Sequence, residues 1–302
     1  MIRTRRHWIL IGGSAVVIGS GVALAQSALV SALDATLPDA RGISRFNRPG
    51  TITLLASNGA VIQKLGPATR EKIEPGKMPL LVKQAFIASE DRRFYDHNGV
   101  DIWGIGRALV RNVRQGAVRE GASTITQQLA RTVFLSQDRT ITRKLKEAAL
   151  AYKLERQLSK EQILEQYLNY VYLGASAYGL SDAAWVYFSK TPDQLNLQEA
   201  ALIAGLPPAP SVYSPLVNPD LALERRSIVL NRMQQAGFIT ASEAEQARTS
   251  PLDLTPAIPK YFNSSAPYFT SWVAQQLPQL LTPEQIEVGG LKIRTSLNLD
   301  WQ

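Results

Sequence analysis

Apolar residues fall into three regimes along this chain. The run 8–33 carries no charged side chain at all. Next come two short apolar runs, 51–55 and 60–62, on either side of Ser57-Asn58-Gly59. Asn-Gly between such runs predicts a β-hairpin, because both residues tolerate the positive φ of a tight turn. From Pro79 onward the apolar positions recur at helical spacing. That spacing predicts helices over 79–90, 101–114, 124–134, 140–158, 160–172, 177–188, 196–204, 219–236 and 241–248. Leu206-Pro207-Pro208-Ala209-Pro210 interrupts it as a breaker between helices. The tail from Pro251 is richer in proline and reads as less regular, and 290–297 reads as a strand. In the first predicted helix, Leu80, Leu81, Ala85 and Ala88 are expected to face inward. In the helix over 140–158, Ile141, Leu145, Ala148 and Tyr152 are expected to form the buried stripe, with Arg143, Lys144 and Glu147 projecting away from it. The core is therefore expected to be mainly helical.

Composition narrows the chemistry. The chain has 302 residues, 45% hydrophobic and 19% charged, which suits a folded domain rather than disorder. It has no cysteine and two histidines, which excludes disulfides, thiolate zinc sites and a histidine-rich metal centre. The net charge is +8, and the stretch 104–158 holds eleven Lys/Arg against four Asp/Glu. Such a basic stretch suits phosphate, a membrane surface or nucleic acid. No recognition helix, zinc finger or ribonucleoprotein motif is present, so nucleic acid is not an expected partner. Arg3, Arg5 and Arg6 precede the uncharged run. About 20 apolar residues span a bilayer, so the run reads as a single-pass anchor with its arginines in the cytoplasm. The rival reading is a cleaved signal peptide ending near Ala23-Leu24-Ala25. Either one exports the rest of the chain. The expected organisation is a basic tail and anchor over 1–34, a linker with the hairpin over 35–75, the main domain over 76–250 and an extension over 251–302.

Three clusters carry candidate chemistry, and each also has a plain structural reading. Glu90 and Asp91 stand at the C-terminal end of a predicted helix, where the macrodipole and the adjacent acid both disfavour a carboxylate. Both effects would raise a pKa and suit a general base. The plain reading is a solvated helix end with Asp91 paired to an arginine. Gly121-Ala122-Ser123-Thr124 leads into a helix, and Thr124 with Gln127 matches a capping box. A helix N-terminus with hydroxyls is a ready anion site, and Arg131 lies two turns on. Arg143 and Lys144 sit at helical spacing from Glu147, which is either an exposed ion pair or a carboxylate held beside two phosphate-binding cations. A fourth stretch, Ile163-Leu164-Glu165-Gln166-Tyr167-Leu168-Asn169, reads as a structural amphipathic helix.

In this order, Glu-Asp-x-x-Phe-x-x-His-x-Gly, Gly-Ala-Ser-Thr-Ile-Thr-Gln-Gln-Leu-Ala-Arg, Arg-Lys-x-x-Glu and Ile-Leu-Glu-x-Tyr-Leu-Asn-x-x-Tyr-x-Gly resemble the peptidoglycan glycosyltransferase domain of class A penicillin-binding proteins. The resemblance covers about 75–250. It implies a mainly α, lysozyme-like fold with two lobes around a cleft. It also implies polymerisation of lipid II into β-1,4 glycan strands, with inversion and release of undecaprenyl diphosphate. By the same resemblance, Glu90 is the general base and Glu147 the second essential glutamate. Asp91, Ser123, Thr124, Gln127, Arg131 and Lys144 would stand near the substrate, with Arg143 as a neighbour. A divalent ion, Mg2+ or Mn2+, is an implied option near Glu147 and the donor diphosphate, and no organic cofactor is implied. The implied partners are lipid II, the growing lipid-linked glycan, the membrane and, as an option, cell-wall synthesis proteins. The implied location is the outer face of the plasma membrane.

The sequence departs from the family pattern at two places: Thr132, where asparagine is usual, and Ser189, where glycine is common. No Ser-x-x-Lys or Lys-Thr-Gly occurs, so acylation by a β-lactam is not expected. Two other functions remain open at this point, a lysozyme-like glycan hydrolase and an inactive scaffold. Val133, Phe134 and Leu135 either dip into a membrane interface or belong to the core, and Arg111, Arg114, Arg119 and Arg139 are candidates for lipid contact.

Overall fold

The hairpin forms where Asn-Gly predicts it. Strands β1 (Ile52–Leu55) and β2 (Val61–Leu65) pair antiparallel, with Gly59 at φ +88° in the turn. The structure is a computed structural model. It describes Leu37, Asp39, Ile43 and residues 52–65, 72–115, 123–135, 140–257, 264–282 and 290–301, with no side chains described over 109–115. The run 8–33, Arg119 and Arg139 lie outside the described residues, and so do the side chains of Arg111 and Arg114. Among the described residues no helix is long and apolar enough to cross a membrane.

The helices are α1 (Leu80–Glu90), α2 (Ile102–Gln115), α3 (Ile125–Phe134), α4 (Ile141–Gln157), α5 (Lys160–Tyr170), α6 (Leu180–Phe188), α7 (Leu197–Ala204), α8 (Pro219–Gln235), α9 (Ala241–Thr249) and α10 (Pro267–Leu280). Strand β3 (Leu291–Arg294) runs parallel to β1 on its free edge, giving the sheet order β2-β1-β3. The mainly helical expectation holds. Four of the predicted helices begin at capping boxes: Thr124 with Gln127, Ser159 with Gln162, Asn196 with Glu199, and Thr240 with Glu243. Each box satisfies amides that a helix start leaves orphaned, so these boundaries are sharp.

Two apolar clusters result. The larger gathers α1 and α3 to α9 around Phe86, Leu129, Leu154, Tyr167 and Tyr187. In it α1 packs on α7 and α8, while α3 packs on α4 and α5. Phe86 and Tyr167 meet edge to face, with centroids 6.1 Å apart. The smaller cluster seats Val273 and Leu277 of α10 against Ile52 and Leu54 of the sheet.

Three expectations need correction. Helix α10 lies in the tail read as irregular; Pro267 stands in its first turn, where a missing N–H costs nothing, and its buried face repeats at Val273 and Leu277. Leu80 is exposed and Leu81 partly buried, while Ala85 and Ala88 are buried as expected, with Val82, Phe86, Ile87 and Ser89 beside them. In α4 the stripe expected to be buried faces outward: Ile141 is 83% exposed, and Leu145 and Tyr152 are exposed too. The helix carries apolar residues on two faces, and it buries the one with Leu150, Ala151 and Leu154. That rotation takes Glu147 inside, at 1% exposure, where Arg143, partly buried, and the exposed Lys144 reach in to neutralise it. Of the two readings of Val133, Phe134 and Leu135, the core one is supported, since all three pack, partly buried, on the larger cluster.

The loop after α1 is held against α4 at Gly99. This residue sits at φ +90°, and a Cβ there would come within 2.7 Å of the Ala151 backbone. Ser189 also adopts positive φ, +54°, and its hydroxyl donates to the Thr255 carbonyl at 2.7 Å. The serine thus trades a small backbone cost for a bond that glycine cannot make. For Gly99→Ala the expected outcome is a loss of about 2 kcal/mol in stability, from backbone strain plus displacement of α4. Chemical denaturation checks this, and a change under about 0.5 kcal/mol would contradict the packing described.

Candidate active site

The end of α1, the start of α2, the start of α3 and one face of α8 enclose a cleft of about 390 Å³. Glu90 reaches it because it is the last residue of α1, and Ser123, Thr124 and Arg131 reach it from α3. Five arginines line the cleft, Arg92, Arg107, Arg131, Arg225 and Arg232, against the three carboxylates of Glu90, Asp91 and Asp101. The site is therefore electropositive around a few acids.

Glu90 is half-buried as a residue, and burial pushes its carboxyl above the ordinary glutamate range. A hydrogen bond from Gln128 Nε2 to Glu90 Oε2, at 2.9 Å, works against the rise, as do the charges of Arg225 and Arg232 and a weaker bond from Ser89. The direction matches expectation and loss of water is its leading cause, whereas the adjacent Asp91 is not among the causes. Gln128 is fixed from behind by Tyr167, whose hydroxyl donates to Gln128 Oε1 at 3.1 Å. Burial pushes that phenol well above its usual range, so it stays a donor and sets the Gln128 amide with its NH2 toward Glu90.

Among the described residues Asp91 is paired to His97 and not to an arginine. Both its oxygens lie 3.0 Å from His97 Nε2, and Oδ2 also accepts from the Ile125 amide at 3.0 Å. Its acceptor capacity is spent on holding the site together. Gln127 does not line the cleft; its side chain and amide close the capping box with Thr124, and it is buried. Next to it, Gln128 faces Glu90, since successive helical residues turn by about 100°.

Glu147, Arg143 and Lys144 form the second centre. Arg143 Nη1 bonds Glu147 Oε1, and Lys144 Nζ donates to Glu147 Oε2 at 2.8 Å. Lys144 Nζ also donates to Ser123 Oγ at 2.8 Å, which links this centre to the lip of the cleft. A buried carboxylate held by two cations is a fixed electrostatic unit rather than a loose surface pair. As arranged it offers a metal ion no free oxygen, and among the described residues no three His, Asp or Glu side chains converge as ligands.

Sequence reasoning missed Arg225, Arg232 and Gln128 and took Pro207-Pro208 only as a breaker, although all of them line the cleft. The guanidinium of Arg225 lies 5.0 Å from the Tyr213 ring centre, and Arg232 donates to the Ser89 carbonyl. The glutamine pair carried a local signal: if one glutamine serves the cap, the next turns elsewhere.

This helical domain, with a half-buried acid of raised pKa in an arginine-lined cleft, matches a known class. The family described as Transglycosylase matches residues 58–234, a span that includes every residue lining the cleft. The chain belongs to that family. Penicillin-binding protein 1A of Neisseria lactamica is 42% identical over 266 residues, covering 88% of this chain and 33% of the relative. The protein of the same name from Escherichia coli (strain K12) is 40% identical over 272 residues, covering 90% and 32%. The chain thus spans about a third of the length of these curated relatives. A crystal structure of Penicillin-Binding Protein 1A from Haemophilus influenzae aligns with TM-score 0.44 and 23% identity, over 84% of this chain and 28% of that one.

If Gln128 restrains the Glu90 carboxyl as described, Gln128→Ala removes the leading opposing bond. The expected outcome is a further upward shift of Glu90 titration, read by carboxyl-carbon NMR on selectively labelled protein. A midpoint equal to or below that of the unsubstituted protein contradicts the arrangement.

Proposed function

We propose that the chain polymerises lipid II at the outer face of the plasma membrane, with Glu90 as general base. The observation that carries the proposal is Glu90, a cleft carboxyl with a raised pKa and an orientation fixed by Gln128, set among five arginines. An ionised Glu90 takes the proton from the acceptor sugar 4-hydroxyl. The freed oxygen attacks the anomeric carbon of the donor glycan from the face opposite the diphosphate. The anomeric C–O bond breaks, its electron pair leaves on undecaprenyl diphosphate, and the carbon is inverted.

A diphosphate is already a good leaving group, so the protein's task is to stabilise the charge it gains. Arg131, Lys144, Ser123 and Thr124 are assigned to the donor diphosphate, supported by Ser123 and Thr124 at the start of α3, by Arg131 lining the same cleft and by the Lys144–Ser123 bond. Glu147 is assigned to holding Lys144 and Arg143 at that end. A divalent ion could arrive on the diphosphate or displace one of these two cations; no step here depends on one. Cell-wall synthesis proteins remain candidate partners on the strength of the family alone.

A lipid substrate implies a membrane surface beside the cleft. The side chains suited to it are Ile102 and Trp103, the latter 77% exposed, which flank the cleft residues Asp101 and Gly104. Ile141 and Leu145, exposed beside Arg143 and Lys144, are the other pair. These replace Val133, Phe134 and Leu135 in that role. The run 8–33 would anchor the chain, with the domain outside.

Two outcomes test the proposal. Glu90→Gln keeps the shape and removes the base, so lipid II polymerisation should fall by about 100-fold or more with lipid II binding retained. The same change should raise the thermal midpoint at neutral pH. A carboxyl whose pKa is raised on folding stabilises the fold below its unfolded pKa, and that stability is lost as pH rises through the folded value. Removing the acid removes the loss. Near-normal turnover refutes the base assignment, and a lower midpoint refutes the burial argument. For the membrane, Trp103→Ser should weaken binding of the chain without its first 33 residues to anionic vesicles; equal binding by both forms places lipid contact elsewhere.

A further inference from the structure

His97 lies outside the groups used above, yet its two ring nitrogens are both committed. It is 8% exposed, so solvent does not supply its partners. Nε2 lies 3.0 Å from each oxygen of Asp91. Nδ1 lies 3.2 Å from the Gly99 amide nitrogen, which donates to it. An ionised Asp91 only accepts, so Nε2 must carry a proton; a backbone amide only donates, so Nδ1 must not. One of the three protonation states of imidazole meets both demands. The imidazolium would set Nδ1–H against the Gly99 N–H, and the other neutral tautomer would lose both bonds.

The Gly99 amide cannot turn away to accommodate another state. Its residue is pinned at φ +90° against the Ala151 backbone, and its carbonyl accepts from Thr124 Oγ1 at 2.6 Å. Thr124 caps α3, whose Ile125 amide donates to Asp91 Oδ2 at 3.0 Å. Asp91, His97, Gly99, Thr124 and Ile125 thus close a ring of hydrogen bonds. Glu90 precedes the first member in sequence, and Ser123 precedes the capping residue. The charged groups around His97 come from several elements: Asp91 at the end of α1, Lys160 of α5 on the His97 carbonyl at 2.6 Å, Glu155 of α4 bound to Lys160, and Asp101 before α2, paired with Arg93.

We infer that His97 is a positioning residue held as one neutral tautomer, protonated at Nε2, which fixes the general base Glu90 relative to the phosphate-binding start of α3. It shuttles no proton, because neither nitrogen is free to exchange one with substrate. The inference rests on the polymerase reading for its catalytic consequence but not for the tautomer. Misplacing reacting groups costs rate more than binding, so disturbing the ring should lower kcat and leave KM for lipid II nearly unchanged.

The chain has only two histidines, His7 and His97, so His7→Gln leaves one ring to observe. In that full-length protein in detergent, with 15N-labelled histidine, the two-bond spectrum at neutral pH should show a protonated Nε2 and an unprotonated Nδ1. An imidazolium pattern, the opposite tautomer or averaged shifts would overturn the inference. In parallel, His97→Gln keeps a donor toward Asp91 and His97→Asn keeps an acceptor for Gly99. Each should lower kcat about 10-fold or more while KM stays within about twofold. Unchanged kcat, or a loss confined to KM, also overturns it. If the unsubstituted protein polymerises no lipid II, the polymerase reading fails by itself and the tautomer is still decided by the spectrum.

Discussion

The end of α1 meets the first turn of α3 through the carboxylate of Asp91, the residue that follows the helix. One of its oxygens takes the Ile125 amide and both take the His97 proton, so two helices that pack on different neighbours are tied end to start. Helix α1 packs on α7 and α8, and α3 on α4 and α5. Without the tie, Glu90 would belong to one helical layer and Ser123, Thr124 and Arg131 to the other. A buried carboxylate without partners is costly, whereas one that is fully bonded rigidifies what it touches. The cleft is accordingly a junction rather than a hollow within one packed layer.

Electrostatics at that junction are balanced by placement rather than by count. Burial works to keep Glu90 neutral; Gln128, Arg225 and Arg232 work to keep it charged, and burial prevails. The second carboxylate, Glu147, is buried still more deeply but has a cation on each oxygen. Two acids in one domain thus sit in opposite surroundings, the first where burial works against its charge and the second where a cation meets each oxygen. Separation of roles by environment is the general way in which similar carboxylates come to act differently.

Much of this was legible in the sequence because it is written locally. Capping boxes and apolar periodicity mark the helices, and Asn58-Gly59 marks the hairpin. What was not legible depends on distant partners. Strand β3 joins β1 from nearly the other end of the chain, and nothing local in Leu291–Arg294 names that neighbour. Arg225 and Arg232 read as ordinary surface charges of α8 until the fold turns that face toward Glu90. In α4 the pattern offered two apolar faces, and the assumption that Glu147 must be exposed selected the wrong one. Gln127 and Gln128 were separable only once the cap had claimed the first.

The last turn of α6 shows where the fold closes. Its carbonyls at Val186, Tyr187 and Phe188 have no helical partners, and they are met by Ala257, Thr255 and the Thr255 hydroxyl from a segment that crosses them. Arg226 of α8 meanwhile gathers the carbonyls of Arg248 and Ser250 just before that segment. The family match ends at residue 234, so these contacts fall beyond it. A protein trimmed to the matched span would keep every group in the cleft and yet expose a helix end and a guanidinium from the interior. The contacts that complete this end of the helical core therefore run through Ala257, past the limit of the shared sequence.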